Sequence, residues 1–199
     1  MLISLEGIDG AGKTTVAARL AEALGAVLLR EPGGVALAER IRELVKDPAL
    51  HVDPRAEALL YAAARAQLVA EQLRPRLAAG ETVVIDRFVD SSLAYQGAGR
   101  GLGVEEVRDL NLFATGGLRP DRTLLLRIDA RAGLARAGGR GEHADRLERE
   151  ELAFFEAIAG AYDELAAAEP ARFAVIDAAR EPRAVLADCI AALEPLLAA

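Results

Sequence analysis

The chain has one cysteine, Cys189, no tryptophan, and only two histidines and two lysines. A single cysteine excludes an intrachain disulfide and a cysteine-rich metal site. The apolar spacing around Cys189 reads as the buried stripe of a helix. His51 and His143 stand alone, so neither suggests a metal centre. No apolar stretch approaches the ~20 residues of a membrane span, and Leu2–Leu5 is too short for a secretion signal. The formal net charge of −7 argues against a general nucleic-acid binder. These absences lead to the expectation of a cytoplasmic protein with neither membrane nor nucleic acid as partner.

What is present is globular. Hydrophobic residues make up 52% of 199, with Ala and Leu dominant, which suits one domain spanning 1–199 with a sizeable core. Arg carries almost all positive charge, the only lysines being Lys13 and Lys46. Lys13 lies in Gly7, Ile8, Asp9, Gly10, Ala11, Gly12, Lys13, Thr14 and Thr15. This stretch joins the apolar run Leu2–Leu5 to a segment, Val16–Leu24, with helical spacing. Strand, glycine-rich turn and helix are the context that G-x-x-x-x-G-K-[ST] requires. Such a turn aims successive backbone N–H groups at one anion, and the helix start adds its positive end. Lys13 then reaches the β- and γ-phosphates of a nucleotide, and the Thr14 hydroxyl serves Mg²⁺.

The rest of the chain alternates short apolar runs with helical periodicity. Strands are predicted at Ala26–Arg30, Thr82–Ile85, Thr123–Ile128 and Phe173–Ile176. Helices are predicted at Val35–Lys46, from Asp53-Pro54 almost to Gly80, at Asp90–Gln96, Val104–Thr115 and Ala130–Ala137, from Leu152 past Leu165, and at Pro182–Leu197. A loop with four glycines separates two of them at Gly97–Gly103. The pattern predicts an α/β P-loop NTPase fold: a five-stranded parallel sheet with helices on both faces, ligands binding beyond the strands' carboxyl ends.

Candidate chemistry gathers after the strands. Asp86-Arg87 closes the third strand; an aspartate there suits Mg²⁺, directly or through water, and the arginine suits phosphate. Arg131, Arg136, Arg140, Arg146 and Arg149 surround the break Gly138–Gly141, either as a solvated face or as a short lid at about 136–148 closing over phosphates. Tyr61 and Arg65, four apart, share a helix face, either in ordinary packing or gripping a base.

Several motifs in one order resemble the thymidylate kinase family over nearly the whole chain. They are Leu5–Thr15, Arg30–Gly34, Leu59–Gln67, Asp86–Gly97, Arg119-Pro120-Asp121 and Asp145–Glu148. The P-loop alone signals only NTP binding, whereas Glu-Pro-Gly-Gly together with Asp-Arg…Ser-Ser…Ala-Tyr-Gln-Gly is highly specific. The resemblance implies transfer of the γ-phosphate of ATP to dTMP, with Mg²⁺, in a homodimer. It implies that Tyr61 stacks on thymine, that Arg65 and Ser92 face the base, and that Tyr95 crowds the sugar against a 2′-hydroxyl. Asp9 then contacts the 3′-hydroxyl, and Arg42 and Arg87 hold the acceptor phosphate. Glycine at position 10, where some members carry arginine, implies that catalytic charge comes from the lid, with Arg140 the first candidate, then Arg146 and Arg136.

There are departures: Val35 replaces a usual Thr or Ser, Ala64 an acid, and Tyr61 the commoner Phe, while Gly138 stands where some members have a further arginine. Competing expectations are a kinase of the same fold acting on another nucleotide or a deoxynucleoside, and a P-loop ATPase switch.

Overall fold

The computed structural model describes residues 1–138, 146–147 and 150–197. In chain order the elements are β1 (Leu2–Glu6), α1 (Lys13–Leu24), β2 (Val27–Arg30), α2 (Ala36–Lys46), α3 (Pro54–Leu68), α4 (Arg74–Ala78), β3 (Val83–Asp86), α5 (Val89–Ser92), α6 (Val104–Thr115), β4 (Arg122–Arg127), α7 (Ala130–Gly138), α8 (Leu152–Ala168), β5 (Phe173–Asp177), α9 (Pro182–Ala191) and α10 (Glu194–Leu197).

The five strands form one parallel sheet in the order β2-β3-β1-β4-β5. Strand side chains alternate between faces. Ile3, Leu5 and Val84 enter a core shared with α1, α8 and α9, whereas Leu2, Val83 and Ile85 enter a second core closed by α2 and α3. β1 is central and buried throughout. It pairs with β3 through Leu5 and Asp86 and with β4 through Glu6 and Leu125. The P-loop therefore leaves the sheet between the ends of two neighbouring strands, and Asp86 lies beside it.

The expectation that every strand is covered on both faces holds for the centre and fails at the edges. Leu28 of β2 is 44% exposed and Val175 of β5 is 52% exposed. An edge strand has only one neighbour to hold helices over it.

Three predicted helices are divided. The long one after Pro54 is interrupted by a π-helical turn, Val69–Leu73, before α4. Pro75 lies in the first turn of α4. It has no N–H for a bond to residue 71, and its ring crowds that carbonyl, so the ladder slips there. The segment predicted at Asp90–Gln96 is α5 followed by π-helical Leu93–Gly99, which consumes the start of the predicted glycine loop. The closing helix breaks between α9 and α10, where Pro195 removes a donor.

Candidate active site

The P-loop follows from the positions its glycines tolerate. Gly10 has φ +79°, and a Cβ on it would lie 1.9 Å from the carbonyl oxygen of Gly133 in α7. Any side chain in this position would require the α7 backbone packed against it to shift. α1 begins at Lys13, directly after the loop. Lys13 is buried and its Nζ donates to the Ile8 carbonyl at 2.8 Å. Burial, reinforced by Arg87, lowers its pKa to about 8 against the pull of Asp9, Asp86 and Glu6. A β,γ-phosphate arriving at Nζ would restore full charge to it.

Thr14 and Asp86 meet as their positions after β1 and β3 demand: the Thr14 hydroxyl donates to Asp86 Oδ2 at 2.7 Å. The other carboxylate oxygen, Oδ1, is buried without a hydrogen-bond partner among the described residues. An acceptor left bare beside a phosphate cradle suits a hard divalent cation with oxygen ligands. The residues present thus fit Mg²⁺.

A cleft of about 710 Å³ opens from the P-loop over the ends of β1, β2 and β3. Asp9, Lys13, Thr14, Arg42, Tyr61, Arg65, Asp86, Arg87, Ser92 and Tyr95, all singled out in the sequence, line it together. Arg87 is its hinge. It is the non-glycine residue with a left-handed backbone, φ +71°, among those described, a conformation costing roughly 1–3 kcal/mol that surrounding contacts must hold. Its Nη2 donates to Asp9 Oδ1 at 2.7 Å and to Tyr95 Oη at 3.0 Å. Its Nη1 donates to the Gly7 carbonyl and to Ser91 Oγ, each at 3.1 Å. Tyr95 Oη donates in turn to Asp9 Oδ2 at 2.8 Å. Burial would raise the Asp9 pKa, but Arg87 and Lys13 and the two hydrogen bonds outweigh it and hold the carboxyl well below the usual range. Asp9 is therefore a fixed anion in the cleft wall.

Arg65 is neither a surface charge nor a free reader. It is 1% exposed. Its Nε donates to Glu31 Oε2 at 2.7 Å, its Nη2 donates to the Phe88 carbonyl at 2.9 Å and pairs with Glu31, and its Nη1 donates to Ser92 Oγ at 2.9 Å and to Asn111. Contact with a base carbonyl means sharing one of these partners. Glu31 Oε1 is buried without a partner among the described residues, and burial raises the Glu31 pKa against the pull of Arg65. Arg42 donates from Nη1 to the Pro32 carbonyl at 2.9 Å, fixing the loop after β2 over the cleft.

Arg146, a catalytic candidate from the sequence, donates from Nε to the Val45 carbonyl at 3.0 Å and from Nη2 to Glu57 Oε2. Glu57 is fully buried and also accepts from Gln96 Nε2 at 2.8 Å. A buried carboxylate needs a cation, and Arg146 and Arg100, the latter 3.2 Å from Glu57 Oε2, meet that need together. Arg140, His143 and most of the predicted lid lie outside the described residues. Arg136, the third candidate, lines the cleft and donates from Nη1 to the Ala178 carbonyl at 2.8 Å. Sequence reading passed over Glu31, Lys46 and Gln96 in the cleft wall. Glu31 and Gln96 sat inside quoted motifs, but no spacing rule gave them a direction.

A P-loop with its lysine, sharing one cleft with Arg42 and Arg87, is the arrangement of a P-loop phosphotransferase. Comparison with known proteins makes this specific. Residues 5–189 match the family model for thymidylate kinase. Thymidylate kinase of Deinococcus radiodurans is 52% identical over 185 residues, covering 90% of this chain and 89% of the relative. That of Lactobacillus delbrueckii subsp. bulgaricus is 48% identical over 193 residues, covering 93% and 91%. The crystal structure of thymidylate kinase from Ehrlichia chaffeensis superposes with a TM-score of 0.80 at 31% identity, covering 98% of both chains. The chain belongs to the thymidylate kinase family.

Proposed function

We propose an assignment of the site's residues to the reaction that family membership gives this chain: ATP-dependent phosphorylation of dTMP to dTDP on the way to dTTP. The observation that carries it is Arg87, which stands between the P-loop and the acceptor half of the cleft and touches Gly7 and Asp9 of the one and Ser91 and Tyr95 of the other.

Backbone N–H groups of Gly7–Thr15 and the Lys13 ammonium hold the donor phosphates. Thr14 and Asp86 would hold Mg²⁺, which when bound neutralises charge on the β- and γ-phosphates. Arg42 and Arg87 hold the acceptor phosphate, Asp9 takes the sugar 3′-hydroxyl, and Tyr95 closes the space a 2′-hydroxyl would need. Tyr61 stacks on thymine, with Ser92 and Arg65 at its polar edge. The acceptor phosphate is already an anionic nucleophile, so no general base is needed and rate comes from alignment and charge neutralisation. Arg140 supplies positive charge to the transferring phosphoryl group, with Arg136, which lines the cleft, as the second source.

Exposed Leu37 and Leu44 on α2, Leu59 on α3, and Leu112 and Phe113 on α6 support a homodimer. α2 packs on α3 and α3 on α6, so the three helices present adjoining surfaces, and Phe113 is 90% exposed. An exposed apolar patch of this kind marks an interface. Phe113→Asp is expected to give a monomer in sedimentation velocity; an unchanged dimer would exclude this face. No described helix is long and apolar enough to cross a membrane. The buried free thiol of Cys189 is in keeping with a cytoplasmic enzyme.

The deciding assay compares dTMP, dUMP, dCMP and thymidine as acceptors with ATP and Mg²⁺. dTMP is expected to be preferred in kcat/KM. Better turnover of thymidine than of dTMP would overturn the acceptor-phosphate assignment.

A further inference from the structure

Glu6 ends β1, is fully buried, and does not line the cleft. Its two oxygens have different tasks. Oε1 accepts the backbone N–H of Phe88 at 2.8 Å. Oε2 accepts the hydroxyls of Ser91 at 2.5 Å and Tyr162 at 3.0 Å. Phe88 directly follows Arg87, and Ser91 Oγ also accepts from Arg87 Nη1 at 3.1 Å. The N–H of Arg87 itself donates to the Leu5 carbonyl at 3.0 Å. Both peptide N–H groups flanking the Arg87 Cα are therefore held by β1, one by its backbone and one by the Glu6 side chain.

We propose that Glu6 is a positioning residue for Arg87, clamping its left-handed backbone through Phe88 and aiming its guanidinium through Ser91. The inference rests on the assignment of Arg87 to the acceptor phosphate. An L-residue leaves the left-handed region readily unless its neighbours are fixed. A φ change at Arg87 would swing its guanidinium away from Asp9 and Tyr95. An ionised carboxylate suits the task because it accepts at both oxygens and donates at neither. An amide in its place would turn N–H groups toward the Ser91 and Tyr162 hydroxyls, and the chain of donors leading to Arg87 would have to reverse.

The test is steady-state kinetics of the full-length enzyme with each substrate varied. Glu6→Gln keeps the size of the side chain. It is expected to raise KM for dTMP about tenfold, as loss of a hydrogen bond to a charged group does, with KM for ATP within about twofold and kcat falling less than KM rises. Ser91→Ala keeps the clamp on Phe88 but cuts the link to the guanidinium, so a rise of about threefold in dTMP KM is expected. Tyr162→Phe removes a donor to Glu6 and a 2.9 Å bond to Ser91 Oγ, yet leaves Glu6 on Phe88 and on Ser91 and leaves Ser91 on Arg87, so both KM values should stay within about twofold. A folded Glu6→Gln enzyme with unchanged dTMP KM, or with both KM values raised alike, overturns the proposal. Should Glu6→Gln not fold, an unchanged dTMP KM in Ser91→Ala overturns it instead. Arg87→Ala keeps the two levels apart: if its dTMP KM is normal, the reading of Arg87 itself is wrong.

Discussion

Arg87 Nη2 and Asp9 Oδ1 lie 2.7 Å apart, and Tyr95 Oη bonds to both residues. The group assigned to the acceptor phosphate and the group assigned to its sugar are thus held as one unit before any substrate arrives. The Tyr95 ring also stacks against the guanidinium, with the Arg87 Cζ 4.8 Å from its centroid. Such pre-alignment lowers the cost of ordering these groups in the Michaelis complex.

Tyr95 accordingly has two separable roles. Tyr95→Phe keeps the ring that crowds the sugar but loses both hydroxyl contacts. We expect it to raise the dTMP KM by roughly three- to tenfold while preserving preference over the ribose analogue. Tyr95→Ala should narrow that preference as well. Equal discrimination in wild type and Tyr95→Ala would remove the sugar-gate role.

Arg140 and Arg146 should separate in assay. Arg140→Ala should lower kcat by roughly a thousandfold with little change in dTMP affinity, since charge on a moving phosphoryl group matters mainly in the transition state. Arg146→Ala leaves the buried Glu57 carboxylate with Arg100 as its remaining cation and should act first on stability, by about 1–2 kcal/mol. Urea unfolding and kinetics of both variants check this. Arg140→Ala with turnover intact and KM raised would contradict the first half; Arg146→Ala as stable as wild type would contradict the second.

The Asp86 prediction concerns Mg²⁺. Because Oδ1 is buried without a partner among the described residues while Oδ2 is engaged by Thr14, Asp86→Asn should raise the Mg²⁺ concentration for half-maximal activity by about tenfold or more. ATP-free folding should be little affected. A Mg²⁺ titration indistinguishable from wild type would place the ion elsewhere.

Glu6 gives the protein a pH signature. Burial, with nearby Asp90 adding to it, pushes its carboxyl from 4.5 up to about 7, against the pull of Ser91, Arg87 and the Phe88 N–H. With the folded value above the unfolded one, the native state binds more protons between them. Its contribution to stability is full below about 4.5 and is lost as pH rises through about 7. Glu6→Gln cannot titrate. Urea midpoints of wild type should therefore fall relative to Glu6→Gln between pH 4.5 and 7 and run parallel above. Parallel curves across the whole range would show that Glu6 does not titrate there.

The sequence by itself determined the order of strands and helices, the P-loop, and the family. Those follow from short-range patterns: apolar period, glycine at a tight turn, a lysine where phosphate must sit. The resemblance to the family brought Asp9, Arg87 and Tyr95 forward as partners in one site. The sequence did not determine where a long side chain goes once it has a choice. Arg146 reads like Arg140 in the sequence, yet a fully buried Glu57, far earlier in the chain, holds it at α2. Arg65 shares a helix face with Tyr61, yet only the folded chain surrounds it with Glu31, Ser92, Asn111 and the Phe88 carbonyl. The π-helical turn at Leu93–Gly99 and the left-handed turn at Arg87 were equally illegible. Each depends on contacts between segments brought together only by the sheet, as Glu6 and Ser91 are, 85 residues apart. Local spacing fixes which groups stand at the ends of the strands; the partners that aim and charge them are chosen by burial, because a polar group cut off from water must find its complement wherever the fold supplies one.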